Sequence, residues 1–370
     1  MGRVRTLFIV LTVLAFVVSG SLLAPSLADN GPNHRVRNMR FGVSGGNVQD
    51  RSNRFCCSGT LGALVTDGST NYILSNNHVL GRSGAAAPGE DVSQPGMIDV
   101  NCQVATLVGD FTTSAPLGSS NVDAAIAELR AGTMDATGFI EDIGVPSRSV
   151  AAPTVGMSVA KSGRTTGFTT GTISSINTSV NVQYQQGCGG GKKFTVSFTG
   201  QIVIGPGSFS AGGDSGSLIV TNNSAHNPVG LLFAGSSSAT IANPAGLVLA
   251  RLSTALGRTL TFVGSGTASP TTLSASQGET VPFVRGPRGL MQQLPDQASD
   301  RASAVLELYR DSFMGTPGVI GAGVGATSEN EVEPAIVVYV DRTAPGRPQF
   351  APALDGVAVR VVLTDPFVAF

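Results

Sequence analysis

The chain has 370 residues, with 23 lysines and arginines against 24 aspartates and glutamates, and this length allows two or more domains. The balance of charge argues against a nucleic-acid-binding protein, because such proteins carry a clear excess of basic residues. Only 13% of the residues are charged and 48 are glycine, which together with frequent Ser, Thr and Val predicts a β-rich protein with many tight turns.

Residues 1–28 have the pattern of a Sec signal peptide. Arg3 and Arg5 precede the apolar run LFIVLTVLAFVVSGSLL, and SLA (26–28) offers small residues at the −3 and −1 positions of a cleavage site. An uncleaved membrane anchor is the alternative, because the run is near the lower limit for spanning a bilayer. We favour cleavage after Ala28, since Ser, Gly and Pro interrupt the end of the run. This predicts a secreted protein with no stable membrane association after cleavage.

Residues 38–263 alternate short apolar segments with clusters of Gly, Asn and Ser, as in TLGALV, YILSNNHVL, FTVSFTGQIVI and PVGLLFAG. Regular short strands separated by turn signals are typical of β-barrels and sandwiches. One helix is predicted near the end of this region. Asn243 is a good N-cap, Pro244 takes the first helical position, and Gly257 ends the helix.

The C-terminal part of the chain changes character twice. Residues 264–297 are rich in Ser, Thr, Gly, Pro and Gln, which predicts a linker. Residues 298–370 show apolar side chains at helical spacing, followed by three strand candidates, GVIGAGVG, PAIVVYV and GVAVRVVL. We interpret GAGVG as strand, because it lacks the G-x-G-x-x-G pattern of a phosphate-binding loop and opens no helix. The sequence therefore predicts a small αβββ module.

Four cysteines can form disulfides in an exported chain: Cys56, Cys57, Cys102 and Cys188. The sequence does not choose among their connectivities, although adjacent cysteines are closer than ordinary disulfide geometry prefers. A zinc site is the weaker alternative, because no Cys-x-x-Cys or neighbouring Cys/His pair occurs. We expect one or two disulfide bridges, no metal and no cofactor.

The segment SAGGDSGSLIV, residues 210–220, has two interpretations. Gly, Asp and Ser are common turn formers, so a plain turn before a strand is one of them. In the other, Ser215 is a nucleophile, and the N–H groups of Gly213 and Ser215 bind an oxyanion. A serine nucleophile needs a general base, and His78 is the histidine that closes an apolar strand segment. Asp123 directly precedes the apolar segment AAIAEL and is the candidate carboxylate for orienting the imidazole of His78.

The order His, Asp, Ser, with SGTLGALV…SNNHVL, NVDAAIAEL and GGDSGSLIV, resembles the chymotrypsin-like serine proteases. KSGRTTGFTTGTI (161–173) is similar to a segment of their bacterial alpha-lytic protease and streptogrisin branch. The resemblance covers roughly residues 38–263. It implies an all-β fold of two six-stranded antiparallel β-barrels with a C-terminal helix, to which the small α+β module is added. His78 and Asp123 would come from the first barrel and Ser215 from the second.

The function that this resemblance implies is a secreted serine endopeptidase. It would hydrolyse protein or peptide substrates through an acyl-enzyme, with His78, Asp123 and Ser215 as the catalytic triad. The sequence departs from the family at Ser217, where many members have glycine, and the C-terminal module is absent from the simplest members. A catalytically silent protein that binds peptides or partners remains the alternative, because a fold does not establish chemistry.

The resemblance also implies a substrate pocket lined by GPGSFSAG and LLFAGSSS. Neither segment contains an acidic or basic residue, so a preference for charged residues lacks its usual counter-charge. The pocket residues that we predict are Phe209, Phe233, Ala234 and Gly235, and they favour a small or apolar residue before the scissile bond.

Asp214 directly precedes the candidate nucleophile, and a buried carboxylate without a partner is costly. In the bacterial branch an arginine from the segment resembling GRTTG supplies the partner. Arg164 is therefore predicted to form a bidentate ion pair with Asp214, which would support the oxyanion loop. A solvated Arg164 in a Gly-rich turn is the alternative.

The C-terminal module has three interpretations. On a flexible segment it can cover the cleft at high effective concentration and so regulate the enzyme within the chain. It can also serve as a surface for oligomerisation, or simply stabilise the protein. We favour regulation or assembly, and passive stabilisation is the alternative.

Overall fold

The computed structural model describes residues 34–35, 39–267, 296–328 and 331–369. The predicted signal peptide and most of the predicted linker lie outside these residues. Among the described helices, none has both the length and the apolar character that a bilayer crossing requires.

The first barrel is built from strands that pair antiparallel with one another and close into a ring. Its elements are, in chain order, β1 (Val43–Asn47), β2 (Gly59–Leu61), β3 (Ala63–Thr66), β4 (Asn71–Ser75), helix α1 (Asn77–Leu80), β5 (Asp91–Gln94), β6 (Thr106–Ser114) and β7 (Ala125–Leu129). Around the ring, β1 pairs with β2, β3 with β4, β4 with β7, β7 with β6, β6 with β5, and β5 with β1. Because β2 and β3 are consecutive halves of one interrupted strand, the ring has six strands.

The second barrel closes in the same way. Its strands are β8 (Ser158–Gly163), β9 (Gly167–Gln185), β10 (Lys193–Gly205), β11 (Leu218–Thr221), β12 (Pro228–Gly235) and β13 (Thr240–Pro244). The pairing order is β8, β9, β10, β13, β12, β11 and back to β8, antiparallel throughout. The predicted architecture of two six-stranded antiparallel barrels is confirmed.

The predicted helix after the second barrel is confirmed, but its predicted start is wrong. Helix α2 spans Ala245–Leu256 with Pro244 at its N-cap, and Gly257 ends it in the left-handed conformation at φ 73°. Asn243 belongs to β13 and does not cap the helix, because its side chain accepts a hydrogen bond from the Asp123 N–H and donates one to Gln201. After α2, strand β14 (Thr261–Phe262) returns to pair with β3 of the first barrel.

The C-terminal module follows the predicted order of one helix and three main strands. Its elements are α3 (Asp296–Met314), β15 (Val319–Ser328), β16 (Glu331–Asp341), β17 (Ala353–Leu354), β18 (Val357–Thr364) and β19 (Phe367–Ala369). GAGVG lies within β15, as predicted. One face of α3 buries Ala302, Leu306 and Phe313 in a cluster with side chains of the three strands. This small core is the module's own.

The module also continues the sheet of the second barrel. Strand β15 pairs antiparallel with β9 over Gly321–Gly325. The last strand, β19, then leaves the module: it pairs antiparallel with β12 at Ala234 and Gly235, and parallel with β9. Phe367 of β19 is fully buried in the apolar cluster of the second barrel. The module is therefore packed on the barrel along three strand pairings.

Two disulfides join the loops around the barrels. Cys56 bonds to Cys102 and Cys57 bonds to Cys188. The expectation of disulfide bridges is confirmed, and the adjacent cysteines do not bond to each other. Since Cys188 lies in the turn between β9 and β10, the second bridge ties that hairpin to the first barrel.

Candidate active site

His78 and Asp123 are brought together by the end of β4 and the start of β7. His78 lies in α1, the single helical turn that follows β4, and not at a strand end as the sequence suggested. The Nδ1 atom of His78 is 2.6 Å from Oδ2 of Asp123, and the His78 backbone N–H donates to Oδ1 at 3.1 Å. Asn76, at the N-cap of α1, donates from its side-chain amide to the Asp123 carbonyl at 2.7 Å. The carboxylate thus holds both the ring and the backbone of the histidine.

Asp123 is fully buried and forms further hydrogen bonds with the second barrel. The Tyr184 hydroxyl donates to Oδ2 at 2.8 Å, and the Asn243 side chain accepts from the Asp123 N–H at 3.0 Å. Burial, reinforced by the charge of Asp123, raises the pKa of Tyr184 well above its ordinary value, so the phenol remains a donor at neutral pH. Sequence analysis missed both residues, because each occupies an ordinary position in a strand.

Ser215 lies where the two barrels meet. Thr60 of β2 donates from its N–H to the Ser215 carbonyl at 2.8 Å and from its hydroxyl to the Gly213 carbonyl at 2.9 Å. Gly59 lies between this loop and α1: a Cβ there would stand 2.9 Å from the Ser215 carbonyl and 2.6 Å from the Val79 side chain. Only a glycine fits that contact. The loop carrying Ser215 and the turn carrying His78 therefore both pack on β2 at Gly59.

Hydrogen bonds also fix the peptide groups whose N–H atoms were predicted to bind an oxyanion. The Thr165 hydroxyl donates to the Gly212 carbonyl at 2.7 Å, and the Ser217 hydroxyl donates to the Asp214 carbonyl at 2.6 Å. In a planar trans peptide the carbonyl and the following N–H point in opposite directions. Fixing the Gly212 and Asp214 carbonyls therefore also fixes the directions of the Gly213 and Ser215 N–H groups. Within the described ranges, no backbone carbonyl accepts from these two N–H groups.

Gly213 is needed for the shape of this loop, since its φ of +99° is a conformation that other residues rarely adopt. Ser217, noted in the sequence only as a departure from the family, has a structural role here through its bond to the Asp214 carbonyl. The Ser215 hydroxyl itself donates to the Phe233 carbonyl at 3.2 Å and is fully buried.

Asp214 is buried, as expected, but its predicted ion pair with Arg164 is wrong. The guanidinium of Arg164 instead binds Asp99 through two parallel contacts, Nε to Oδ2 at 2.7 Å and Nη2 to Oδ1 at 2.6 Å. The cation nearest to Asp214 is Lys161, whose Nζ lies 3.5 Å from Oδ2. Side chains alternate along β8, which turns Lys161 inward to Asp214, whereas Arg164 lies beyond the strand end and reaches Asp99.

The remaining partners of Asp214 come from the turn between β8 and β9 and from Ala211 in its own loop. Its Oδ1 accepts from the N–H groups of Thr165 and Thr166 at 2.8 and 3.2 Å, and its Oδ2 accepts from the Thr166 hydroxyl at 2.7 Å and the Ala211 N–H at 3.0 Å. Lys161 is fully buried. Desolvation lowers the pKa of Lys161, and the neighbouring charge of Asp214 opposes this shift. The GRTTG segment thus supports the loop through its threonines.

The four predicted pocket residues lie in two settings. The side chain of Phe209 is buried in the core of the second barrel, and that of Phe233 packs on Phe198 with ring centroids 4.9 Å apart. Ala234 and Gly235 form the end of β12, which pairs there with β13 and with β19. Their role as a substrate pocket stays a prediction.

The loop after β12 holds the chain that leads into β19. The Thr364 hydroxyl is 2.7 Å from that of Ser236 and 2.6 Å from that of Ser238, and the Ser237 hydroxyl donates to Asp365. Ser215 has no exposed surface, and the His78 side chain is 11% exposed. The region around Ser215 is covered in this structure.

No group of three or more His, Cys, Asp or Glu in the described part of the chain is arranged to hold a metal ion. Asn76 and Asn77, beside His78, donate from their side-chain amides to the backbone carbonyls of Asp123 and Ala115. Serine, histidine and aspartate side chains such as these can act as nucleophile, base or acid.

Solved structures similar to this chain are bacterial chymotrypsin-like proteases. A glutamic acid specific serine protease is 22% identical with a TM-score of 0.42, over 60% of this chain and 98% of its own. Thermobifida fusca protease A is 19% identical with a TM-score of 0.41, over 61% and 99%. An alpha-lytic protease homologue, N4, is 21% identical with a TM-score of 0.39, over 61% and 98%. A search of protein-family models and one of curated proteins returned no match. Because these identities and TM-scores are low, the chemistry proposed below rests on the geometry of this chain.

Proposed function

We propose that the protein is a serine endopeptidase with Ser215 as nucleophile, His78 as general base and Asp123 as the carboxylate that orients it. The observation that carries this proposal is the short bond from His78 Nδ1 to a fully buried Asp123, beside a loop whose N–H groups are held in fixed directions. A histidine held in this way keeps its proton on Nδ1, so that Nε2 is the nitrogen that can accept a proton.

In the proposed reaction, Ser215 Oγ attacks the carbonyl carbon of the scissile bond while His78 Nε2 takes the hydroxyl proton. The N–H groups of Gly213 and Ser215 bind the oxyanion, and Asp123 stabilises the imidazolium. The proton then passes to the leaving amine, and water hydrolyses the acyl-enzyme on Ser215. No metal or organic cofactor takes part in these steps.

We also propose that the protein acts after export. The two disulfides support this, because such bonds persist in oxidising compartments. The charge pattern of residues 1–28 supports it as well, with cleavage after Ala28.

The test is hydrolysis of fluorogenic peptides by the full chain. We expect cleavage after small or apolar residues, because no charged residue occurs in either predicted pocket segment. Cleavage mainly after Lys or Arg would reject this preference. Ser215→Ala should lose all hydrolysis. The control is Ser147→Ala, which should retain hydrolysis, because the Ser147 hydroxyl lies in another loop and accepts a hydrogen bond from Asn227. Hydrolysis that survives Ser215→Ala would refute the assignment of the nucleophile.

The C-terminal strand supports a further part of the proposal, that the enzyme is regulated within its own chain. Extended peptides bind proteins by adding a strand to an exposed edge. Strand β19 does this at Ala234 and Gly235, the two residues that follow Phe233, whose carbonyl is bonded to Ser215. A peptide substrate reaching Ser215 along this edge would have to displace β19.

The anchoring of β19 supports an inhibitory role. Phe367 is fully buried, with its ring 5.8 Å from that of Tyr339, and Thr364 and Asp365 bind the serines of the loop after β12. A strand tethered in the same chain is present at high effective concentration, so it competes well with free substrate. Release of β19 would therefore open the edge. Oligomerisation through the module and a purely stabilising role are the competing outcomes.

A further inference from the structure

A buried tyrosine of the second barrel contacts the same oxygen of Asp123 that His78 contacts. The Tyr184 hydroxyl is 2.8 Å from Oδ2, and His78 Nδ1 is 2.6 Å from the same atom. Tyr184 belongs to β9, whereas His78 and Asp123 belong to the first barrel. The bond therefore joins the two barrels at the carboxylate.

The position of this hydroxyl is tightly constrained by aromatic neighbours. The Tyr184 ring stacks on that of Phe194 with centroids 5.5 Å apart and planes 22° apart. It also meets the His78 ring edge-on, at 6.0 Å and 72°. Four residues further along the chain, the Cys57–Cys188 bridge fastens the hairpin to the first barrel. Packing and the disulfide together aim the phenol at Asp123.

We propose that Tyr184 is a positioning residue for the catalytic pair, fixing the Asp123 carboxylate so that Oδ2 faces His78 Nδ1. A carboxylate bound only by His78 could rotate about its Cβ–Cγ bond, since Oδ1 is held by a single N–H at 3.1 Å. The phenol removes this freedom and supplies a second donor to Oδ2. It also helps to offset the cost of burying the Asp123 charge away from water.

The chain offers a matched control for this role. Tyr339 is buried to the same extent as Tyr184, 3% exposed in each case, and belongs to the same apolar cluster. Its hydroxyl is 2.8 Å from that of Ser175 and has no contact with Asp123. Tyr184→Phe and Tyr339→Phe each remove one buried phenol oxygen from this cluster, so a difference between them isolates the bond to Asp123.

The first measurement is the downfield proton resonance of the His78 Nδ1–H in the full chain, which requires no turnover. We expect Tyr184→Phe to shift or broaden this resonance, and Tyr339→Phe to leave it at the wild-type position. An unchanged resonance in Tyr184→Phe, or equal changes in both variants, would overturn the proposal.

The second measurement rests on the proposed peptidase function. Tyr184→Phe should lower kcat for a fluorogenic peptide about tenfold, the order expected for one lost hydrogen bond to a charged group, with KM unchanged. Tyr339→Phe should leave kcat within about twofold, because it removes no contact with the catalytic pair. A rise in KM with constant kcat would contradict positioning. If neither the wild-type protein nor Phe367→Ala, in which β19 loses its buried anchor, hydrolyses peptides, the proposed function fails, whereas the proton resonance still decides the role of Tyr184.

Discussion

Lys161 is the buried cation beside Asp214, the residue that precedes Ser215 in the candidate oxyanion loop. Its ammonium has no exposed surface, lies 3.5 Å from Asp214, and donates to the Gly167 carbonyl at 2.9 Å. Burying two charges is costly, and removing one partner leaves the other uncompensated in a medium of low dielectric. Asp214 immediately precedes Ser215, so an unpaired carboxylate there would disturb the nucleophile directly.

We therefore predict that Lys161→Met destabilises the protein by about 3–5 kcal/mol, the usual cost of breaking a buried ion pair. Urea unfolding of the full chain measures this as a lower midpoint. The matched control is Lys192→Met, because Lys192 is exposed and should change the midpoint little. Adding Asp214→Asn to Lys161→Met should restore part of the loss. Equal midpoints for Lys161→Met and Lys192→Met would contradict the pair.

At the scale of elements, β19 is a strand of three residues that pairs with the end of β12. Phe367 supplies the buried anchor, while Val368 is 39% exposed and contributes mainly its backbone. Truncating a buried phenylalanine typically costs about 3–5 kcal/mol, which is large compared with what so short a strand can contribute by pairing alone. The anchor is thus the point at which β19 can be weakened.

We predict that Phe367→Ala raises the rate of peptide hydrolysis by the full chain at least about tenfold, because each 1.4 kcal/mol lost from the closed state opens the edge by that factor. Val368→Ala is the control and should leave the rate near that of wild type. Sedimentation of both variants checks that the module remains attached without a change of assembly. Equal hydrolysis by Phe367→Ala and wild type would favour a stabilising role for the module. A dimer that dissociates in Phe367→Ala would favour assembly.

The sequence predicted well those features that are encoded locally. Alternating apolar segments and turn residues indicated the strands of both barrels, and the motifs around His78, Asp123 and Ser215 marked residues that the structure brings to the barrel junction. Arg164 shows where local reasoning fails. KSGR contains two cations, Lys161 and Arg164, and the segment alone does not say which of them faces Asp214. Lys161 faces it because of the side-chain alternation along β8.

Contacts between distant parts of the chain were not predictable. Tyr184 is 61 residues from Asp123, and nothing in its strand segment distinguishes it from an ordinary core tyrosine. Asn243 was assigned to a helix cap because Asn before Pro is a common N-terminal signal, yet its partner, Asp123, is 120 residues away. The docking of β19 depends on the assembled edge of β12 and cannot be seen in a three-residue segment.

At the scale of the whole molecule, the structure is two barrels and a module that meet around one site. The first barrel supplies His78 and Asp123, and the second supplies Ser215, Tyr184 and the β12 edge. The Cys57–Cys188 bridge and Thr60 connect the barrels beside that site. The module then returns its last strand to the same place. We propose that this site is a nucleophilic serine site that the module covers.

The most direct test is the reaction of a fluorophosphonate probe with the full chain, with the modified residue identified by mass spectrometry. Our account predicts that the adduct lies on Ser215, that His78→Ala slows its formation strongly, and that Phe367→Ala forms it faster than wild type. An adduct that persists in Ser215→Ala would place the nucleophile elsewhere. No adduct in either wild type or Phe367→Ala would contradict catalysis and leave a protease fold that binds its own strand without turnover.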